Sequence, residues 1–377
     1  MMQSDTAGDR YQRYGLIDWF DCNRLRQARI VVVGAGAVGN EVLKNLTLLG
    51  VGHIRIFDFD TIEPHNLPRS VLFRDTDIDR YKADVAAAAC RRLDPGVDIL
   101  PVNADFWQAL TLEQIAESDA VVCCADNYEA RTGLNQLCLM ARTDFYNTGI
   151  DSRYSSVEMF PFATRAASAC YECTLPPSVY TAMQKRYSCG RLRKVSYEEK
   201  KVPTTPITSS LAGAVVASML LHRLNGHAQA QQEAVRQFHD SISLASTVSV
   251  IQRQDNCPGC ATIDPSAVRL TAKRSCTPHA GLPSACAAGV EVVLSEPVLL
   301  GGTCTRCGRR QDYFASVRQV NDAVTFCPVC QAQSVVTEFV ERLSLDEFEA
   351  TFAGRDVPCK FITCHTGNRQ VVVEMEI

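Results

Sequence analysis

The sequence has no excess of basic residues. Thirty-eight lysines and arginines stand against forty-two acidic residues, a net charge of −4. That excludes the broad cationic footprint of a general nucleic-acid binder. It has no uncharged apolar run of the ~18 residues that a membrane span needs. The nearest approach, Ile207 to Leu221, contains Thr208, Ser209, Ser210 and Ser218 and stops at His222, so it reads as a buried helix. The opening MMQSDTAGDR lacks the basic-then-apolar pattern of an export signal. Long-period repeats and low-complexity tracts are also missing. The expectation is a cytoplasmic protein with neither a membrane nor a nucleic acid as partner.

What is present is 377 residues, 46% of them apolar, enough for two or three domains with cores of their own. Eighteen cysteines stand out, and eight fall into four C-x-x-C pairs. In a reducing compartment such pairs point to zinc ligands rather than disulfides.

The first half alternates. Ile30 to Val33 is a β-branched run read as a buried parallel strand. Gly34, Gly36 and Gly39 follow in G-x-G-x-x-G spacing, and Asn40 to Leu49 is helical, stopped by Gly50 and Gly52. His53 to Phe57 is a second strand ending in Asp58, an acid about 20 residues past the glycines, where a ribose-binding carboxylate belongs. A helix over Lys82 to Leu93, a strand over Val97 to Val102, a helix over Leu112 to Glu117 and a strand over Ala120 to Cys124 complete the pattern. Alternation of this kind predicts a doubly wound parallel sheet, an α/β fold. The pattern changes after Gly149. Residues 176–204 are polar, basic and proline-rich, a long crossover, followed by a helix over 207–224 with Thr208 or Ser209 near its start. Residues 263–377 read as a small, mostly β module with strands near Glu291–Leu299, Tyr313–Val317, Ser334–Phe339 and Gln370–Glu376.

The glycines suit a backbone that approaches a phosphate at a helix N-terminus. A merely tight turn is the alternative, and the flanking strand and helix favour the nucleotide. The segment FDFDTIEPHNLPRS carries Asp58, Asp60, Asn66 and Arg69, and Lys82 opens the next helix. Cations and an amide clustered after a ribose acid suit a triphosphate; incidental charges on a solvated loop are the competing reading. Asp126 follows a strand at the edge that holds ligands in open α/β sheets. It suits Mg²⁺, or else it caps a helix.

RYQR at Arg10 to Arg13, GAGAVG, DFDTIEPHNLPR, Lys82 and the CCADN strand end together resemble the ThiF/MoeB/ubiquitin-activating superfamily across residues 8–262. The resemblance implies a Rossmann-like fold and MgATP-dependent adenylation of the C-terminal carboxylate of a ubiquitin-like protein by a homodimer. It implies that Gly34, Gly36 and Gly39 form the nucleotide loop, that Asp58 holds the ribose with Asp60 beside it, that Asn66, Arg69 and Lys82 meet the phosphates, and that Asp126 holds Mg²⁺. Arg13 is similar to the family arginine that enters the partner subunit's site. Two departures stand out. Ser70 replaces the usual Gln after the loop arginine, and Asp79-Arg80-Tyr81 replaces a Gly-x-Pro before the lysine.

Cys170, Cys173, Cys257 and Cys260 form two pairs 83 residues apart. That gap says little as bare spacing, but it resembles the family's structural zinc site. Cys304, Cys307, Cys327 and Cys330, with 19 residues between the pairs, have the spacing of a zinc ribbon in their own right, so two Zn²⁺ per chain are expected. Cys359, Cys364 and His365 read as ordinary strand residues, and Cys22, Cys90, Cys123, Cys124 and Cys138 as core. Cys189 lies in the crossover among Lys185, Arg186, Arg191, Arg193 and Lys194. Nearby cations favour the nucleophilic thiolate, and the resemblance places a catalytic cysteine in this crossover; an incidental cysteine on a basic loop is the alternative.

The expected organisation is an adenylation domain over 1–262, with the crossover at about 174–206, and a zinc-ribbon module over 263–377 that docks a conjugating enzyme. The expected activity is adenylation, then a thioester on Cys189 passed to that enzyme. Bacterial conjugation operons, some in antiviral defence, are a setting that the resemblance suggests. The alternatives are a sulfur-carrier activator of the thiamine or molybdopterin type, a non-catalytic dimeric adaptor and, least supported, a dinucleotide oxidoreductase.

Overall fold

The structure, a computed structural model, describes residues 10–180, 203–227, 232–264, 267–273, 290–366 and 369–376. The chain divides into two compact units. The first runs to Leu175 and resumes from Val202 to Pro265; the second takes the remainder.

The first unit is built on an eight-stranded sheet, ordered β3-β2-β1-β4-β5-β6-β7-β8. Strands β1 (Arg29–Val33), β2 (His53–Phe57), β3 (Asp98–Val102), β4 (Ala120–Cys123) and β5 (Asp144–Ile150) are parallel. Strands β6 (Tyr154–Phe160), β7 (Val235–Asp240) and β8 (Ser246–Val250) continue it antiparallel. The crossovers carry α2 (Ala37–Leu49), α3 (Lys82–Leu93), α5 (Leu112–Ala116) and α6 (Tyr128–Ala141), and α7 (Pro206–Leu224) precedes β7; short α1 (Cys22–Gln27) and α4 (Phe106–Ala109) complete the set.

The central strands are apolar on both faces, as a covered parallel sheet requires. Ile30, Val32, Ala120 and Val122 join one core with Val42 and Leu46 of α2, Ala86 of α3 and Val216 and Leu220 of α7. Val31, Val33, Val121 and Cys123 are equally buried but outside that cluster, on the opposite face. Helix α7 has the length and composition of a membrane span. Its apolar residues Ala212, Val216 and Leu220 lie in this core, and Ser210 donates to the buried Glu41 of α2 at 2.9 Å.

The sheet's first half is where the alternation placed it, with β2 and α3 at the expected residues. Helix α2 begins three residues earlier than expected: Gly36 is its N-cap, and the last glycine of the motif lies within its first turn. Helix α7 is capped by Thr205, whose hydroxyl accepts from the Thr208 amide at 3.3 Å, with Pro206 in the first turn. Thr208 and Ser209 are buried inside the helix; Thr208 donates instead to the Asp151 carbonyl. The antiparallel half escapes sequence reading. Its strands β7 and β8 are half-polar, and β6 buries Glu158 among its apolar residues.

In the second unit the main sheet follows the order β11-β10-β15-β16-β9, with β14 also pairing with β10. These strands are β9 (Val268–Lys273), β10 (Glu291–Cys304), β11 (Arg310–Ser316), β14 (Val335–Ser344), β15 (Phe361–Thr366) and β16 (Arg369–Glu376); β12 (Phe326–Cys327) and β13 (Ala332–Gln333) form a hairpin. Helix α8 (Leu345–Phe352) buries Phe348 and Phe352 against Val292, Leu294, Ile362 and Val373. The four expected strands are present with ends that differ by a few residues, and β15 carries Cys364 and His365 as ordinary strand residues, whereas Cys359, expected with them, lies in the loop before it.

The segment that leads into β1 packs on Gly52, the residue before β2: the Gly52 amide donates to the Leu25 carbonyl at 2.9 Å, and a Cβ at Gly52 would strike the Arg26 carbonyl. Gly52→Ala is therefore expected to destabilise the first unit by about 1–3 kcal/mol. Gly15→Ala, with nothing within 4 Å of its Cβ, is expected to stay within about 0.5 kcal/mol of the parent. Urea unfolding of the two variants side by side checks this, and equal midpoints would refute the packing argument.

Candidate functional site

The C-terminal ends of β1, β2 and β4 converge on one sheet edge, where the strand order switches direction around β1. The glycine loop fills the gap. Gly34 sits at φ +96°, and a Cβ there would lie 2.9 Å from the Cys124 backbone; a Cβ on Gly39 would collide with the Gly34 carbonyl. Those two glycines are required by the protein's own packing. Gly36 is different: a Cβ there would meet nothing within 4 Å. It faces open space at the N-terminus of α2, where the first-turn amides have no partner inside the helix. An anion is favoured at such a position.

Asp58 lies beside the loop. Its carboxylate accepts from the Ala35 amide at 2.6 Å and from the Asp60 amide at 2.9 Å. Burial raises its pKa, and the nearby Lys82 ammonium opposes that shift. Asp60 turns to Lys82: Lys82 Nζ is 2.7 Å from Asp60 Oδ2, and the Lys82 amide donates to the Asp60 carbonyl at 2.9 Å. Lys82 is the first residue of α3, an end where the helix dipole disfavours a cation. Its side chain is only 12% exposed. Such a placement costs stability, and an incoming anion would offset that cost.

Asn66 and Arg69 ride on a 3-10 turn, Pro64–Arg69. Asn66 Oδ1 accepts from the Glu63 amide at 2.9 Å, which leaves its NH₂ to donate elsewhere. Arg69 donates to the His65 carbonyl at 2.8 Å and forms no ion pair among the described residues. Asp126 is exposed just beyond β4. The cap of α6 is Asn127, whose Oδ1 accepts from the Ala130 amide at 2.8 Å. Among the described residues Asp126 therefore has no capping duty and no ion pair. A carboxylate left free beside an open glycine loop suits a divalent cation.

Arg13 is held elsewhere. Arg10 donates to the Leu93 carbonyl at 2.7 Å and pairs with Asp94 at 2.9 Å. Tyr11 hydrogen-bonds Asp94 and packs over Gly50. Both anchors are C-terminal helix ends, on the sheet edge opposite the glycine loop. The 13-residue α2 separates the two edges by about 20 Å. Arg13 itself is exposed and makes no ion pair among the described residues.

Cys170, Cys173, Cys257 and Cys260 are all buried in the first unit, with Sγ–Sγ distances of 3.6 Å for Cys170–Cys257 and 3.5 Å for Cys173–Cys260. In the second unit Cys304–Cys330 is 4.0 Å and Cys307–Cys327 is 3.7 Å. Tetrahedral zinc with Zn–S bonds of about 2.3 Å needs sulfurs about 3.8 Å apart, so both sets fit the ion. Ser334, 3.2 Å from Cys304 Sγ, together with nearby backbone amides, holds that thiol down to about 6, on the side that favours a thiolate ligand. Cys189 and its flanking cations lie outside the described residues.

The ThiF family model matches residues 11–259. The chain belongs to the ThiF family. A SAMP-activating enzyme E1 of Haloferax volcanii is 39% identical over 136 residues, 35% of this chain and 50% of its own length. A molybdopterin-synthase adenylyltransferase of Escherichia coli is 31% identical over 173 residues, 45% of this chain and 69% of its own. A ubiquitin-like modifier-activating enzyme 5 of Arabidopsis thaliana is 28% identical over 230 residues, 57% of this chain and 51% of its own. The chain thus spans about half the length of the archaeal and plant relatives. Among solved structures, E. coli MccB with ATP superposes with a TM-score of 0.55 at 21% identity, over 68% of this chain and 75% of that one, a likeness of fold.

The two departures from the ThiF pattern now have positions. Asp79 takes φ +67°, the left-handed conformation that glycine adopts most easily and Asp tolerates. Ser70 is buried, and its hydroxyl has no hydrogen-bond partner among the described residues. Sequence reasoning also passed over a polar row across the sheet. Arg131 donates to Asn147, Asn147 to Glu158 at 2.8 Å, and Arg236 to Glu158 at 2.7 Å. Nothing in linear spacing links these four. Asn40 was missed too, because it reads as an ordinary helix residue.

Elemental analysis is expected to give two zinc ions per chain. A chelator should remove the ion of the Cys304 set first, because Cys307 is exposed and Cys330 half-buried while the Cys170 set is fully buried. Cys304→Ser should leave a single, slowly released zinc. Release of both ions at one rate would contradict this ordering.

Proposed function

We propose that this chain activates the C-terminal carboxylate of a ubiquitin-like protein with MgATP. The observation that carries the reading is the meeting at one sheet edge of an open glycine loop, a lysine held against the helix dipole and a carboxylate with no structural duty. The names of its relatives, activating enzymes and an adenylyltransferase, agree with it.

In this reading Asp58 holds the ribose. The first-turn amides of α2, with Asn66, Arg69 and Lys82, hold the phosphates, and Asp126 holds Mg²⁺. A carboxylate oxygen of the modifier attacks the α-phosphorus; the bond to the bridging oxygen breaks, and pyrophosphate leaves with that electron pair. Positioning and charge neutralisation supply the catalysis. The Cys189 thiolate then attacks the acyl carbon of the mixed anhydride, AMP departs, and the thioester passes to a conjugating enzyme docked on the module at 263–377.

Arg13 acts in trans on this account. Its anchors lie about 20 Å from its own glycine loop, so a second copy must bring it to a nucleotide. Leu16, Trp19 and Leu48, all exposed, offer apolar surface near these anchors for that contact. A sulfur-carrier activator is the second reading, favoured by the molybdopterin-synthase relative; it keeps the adenylation step and replaces conjugation by thiocarboxylate formation.

Lys82→Ala is expected to reduce modifier-stimulated ATP–pyrophosphate exchange by at least about a hundredfold, given the scale of losses at transition-state charge contacts. Exchange at the parent rate would refute the site. Mixing Arg13→Ala and Lys82→Ala chains should restore part of the activity, since one site of each heterodimer is intact; verified heterodimers without activity would refute action in trans. Cys189→Ala should keep exchange and lose the thiol-sensitive adduct on a non-reducing gel. If the adduct persists, another cysteine is the nucleophile.

A further inference from the structure

Asn40 is completely buried in the first turns of α2, and every polar atom of its carboxamide is used. Its Nδ2 donates to the Ala35 carbonyl at 2.7 Å and to the Gly36 carbonyl at 3.0 Å. Its Oδ1 accepts from the Leu72 amide at 2.8 Å. One side chain thus grips the glycine loop with one end and, with the other, the segment three residues beyond Arg69.

The consequences follow from dipole orientation. With the Ala35 and Gly36 carbonyls turned inward onto Asn40, the loop presents N–H groups rather than oxygens to the open space in front of Gly36. The Leu72 bond fixes the strap that carries Asn66 and Arg69 relative to that same loop. Among the described residues the hydrogen bonds of Asn66 and Arg69 are local, to Glu63 and His65. The strap is thus tied to the loop at its root, where Asp58 accepts from the Ala35 amide, and at its far end, where Leu72 meets Asn40.

We propose that Asn40 is a positioning residue that sets the spacing between the phosphate-facing glycine loop and the arm bearing Asn66 and Arg69, and so determines triphosphate affinity without touching the nucleotide. This rests on the reading of the edge as an ATP site. Replacing the carboxamide leaves the Ala35 carbonyl and the Leu72 amide unmet in a buried place, since the Gly36 carbonyl keeps the backbone amide of residue 40 at 2.9 Å, and frees the far end of the arm from the loop. Binding of the phosphates then suffers, whereas binding of the nucleoside, held through Asp58 just beyond β2, does not.

The test uses the full chain and two ligands, MgATP and adenosine, titrated by calorimetry. Asn40→Ala should weaken MgATP by about tenfold, the scale of one lost buried hydrogen-bonding group, and adenosine by less than about twofold. Asn40→Ser keeps a hydroxyl able to donate to the carbonyl four residues back, that of Gly36, but is too short to reach Leu72. It should weaken MgATP by an intermediate amount, about threefold, and it carries the test if Asn40→Ala does not fold. A residue that only stabilised the fold would, on replacement, reduce the competent fraction and affect both ligands equally. Equal losses, or unchanged MgATP affinity, overturn the proposal while leaving the ATP site standing. A parent chain that binds neither ligand overturns both.

Discussion

The first unit depends on a backbone-to-backbone approach that only glycine allows. Gly34 passes against the end of β4 at Cys124, and Gly39 passes against Gly34 itself. Those contacts let α2 begin directly at the tip of β1, so its free amides open onto the sheet edge. Everything at that edge inherits its position from this packing: Asp58 through the Ala35 amide, Asp126 through β4, and Asn40 through the turn it closes.

Around that constraint the edge concentrates arrangements that cost stability. Asp58 is buried enough to have a raised pKa. Lys82 occupies a helix end of the wrong polarity and is offset by Asp60. Asp79 adopts a left-handed conformation. Local expense of this kind collects where a ligand supplies the compensation. The opposite edge is built for retention: Tyr11, Arg10 and Asp94 lock the N-terminal segment down and leave Arg13 projecting.

The cysteine sets serve the two units differently. In the first, a four-cysteine cluster brings the knuckle after β6 against the chain after β8, across 83 intervening residues. Glu172 between its cysteines accepts from Gln136 of α6 at 3.0 Å, which joins the knuckle to the helix that follows Asp126. In the second, the cluster sits at the end of the long β10, beside a core of modest size, where a bound metal would supplement apolar burial.

Linear sequence was sufficient wherever the determining physics is local. Strands β1 and β2, helix α3, the three glycines, the four C-x-x-C pairs and the family itself are legible because each is a short pattern of residue types at fixed spacing. It was insufficient for the antiparallel half of the sheet. There Glu158 interrupts the apolar pattern of β6 and is tolerated only because Asn147 and Arg236, distant in sequence, satisfy its charge. Sequence could name Asp60 and Lys82 but not that they pair, and it could name Gly36 but not that it alone of the three faces open space. It could not find Asn40, whose meaning lies in a bond to Leu72, 32 residues away. Residue type and spacing determined which groups this protein has. Which of them are already satisfied by a neighbour, and which are left for a ligand, was decided only by the tertiary structure, because hydrogen bonding and burial belong to pairs of residues that the chain brings together on folding.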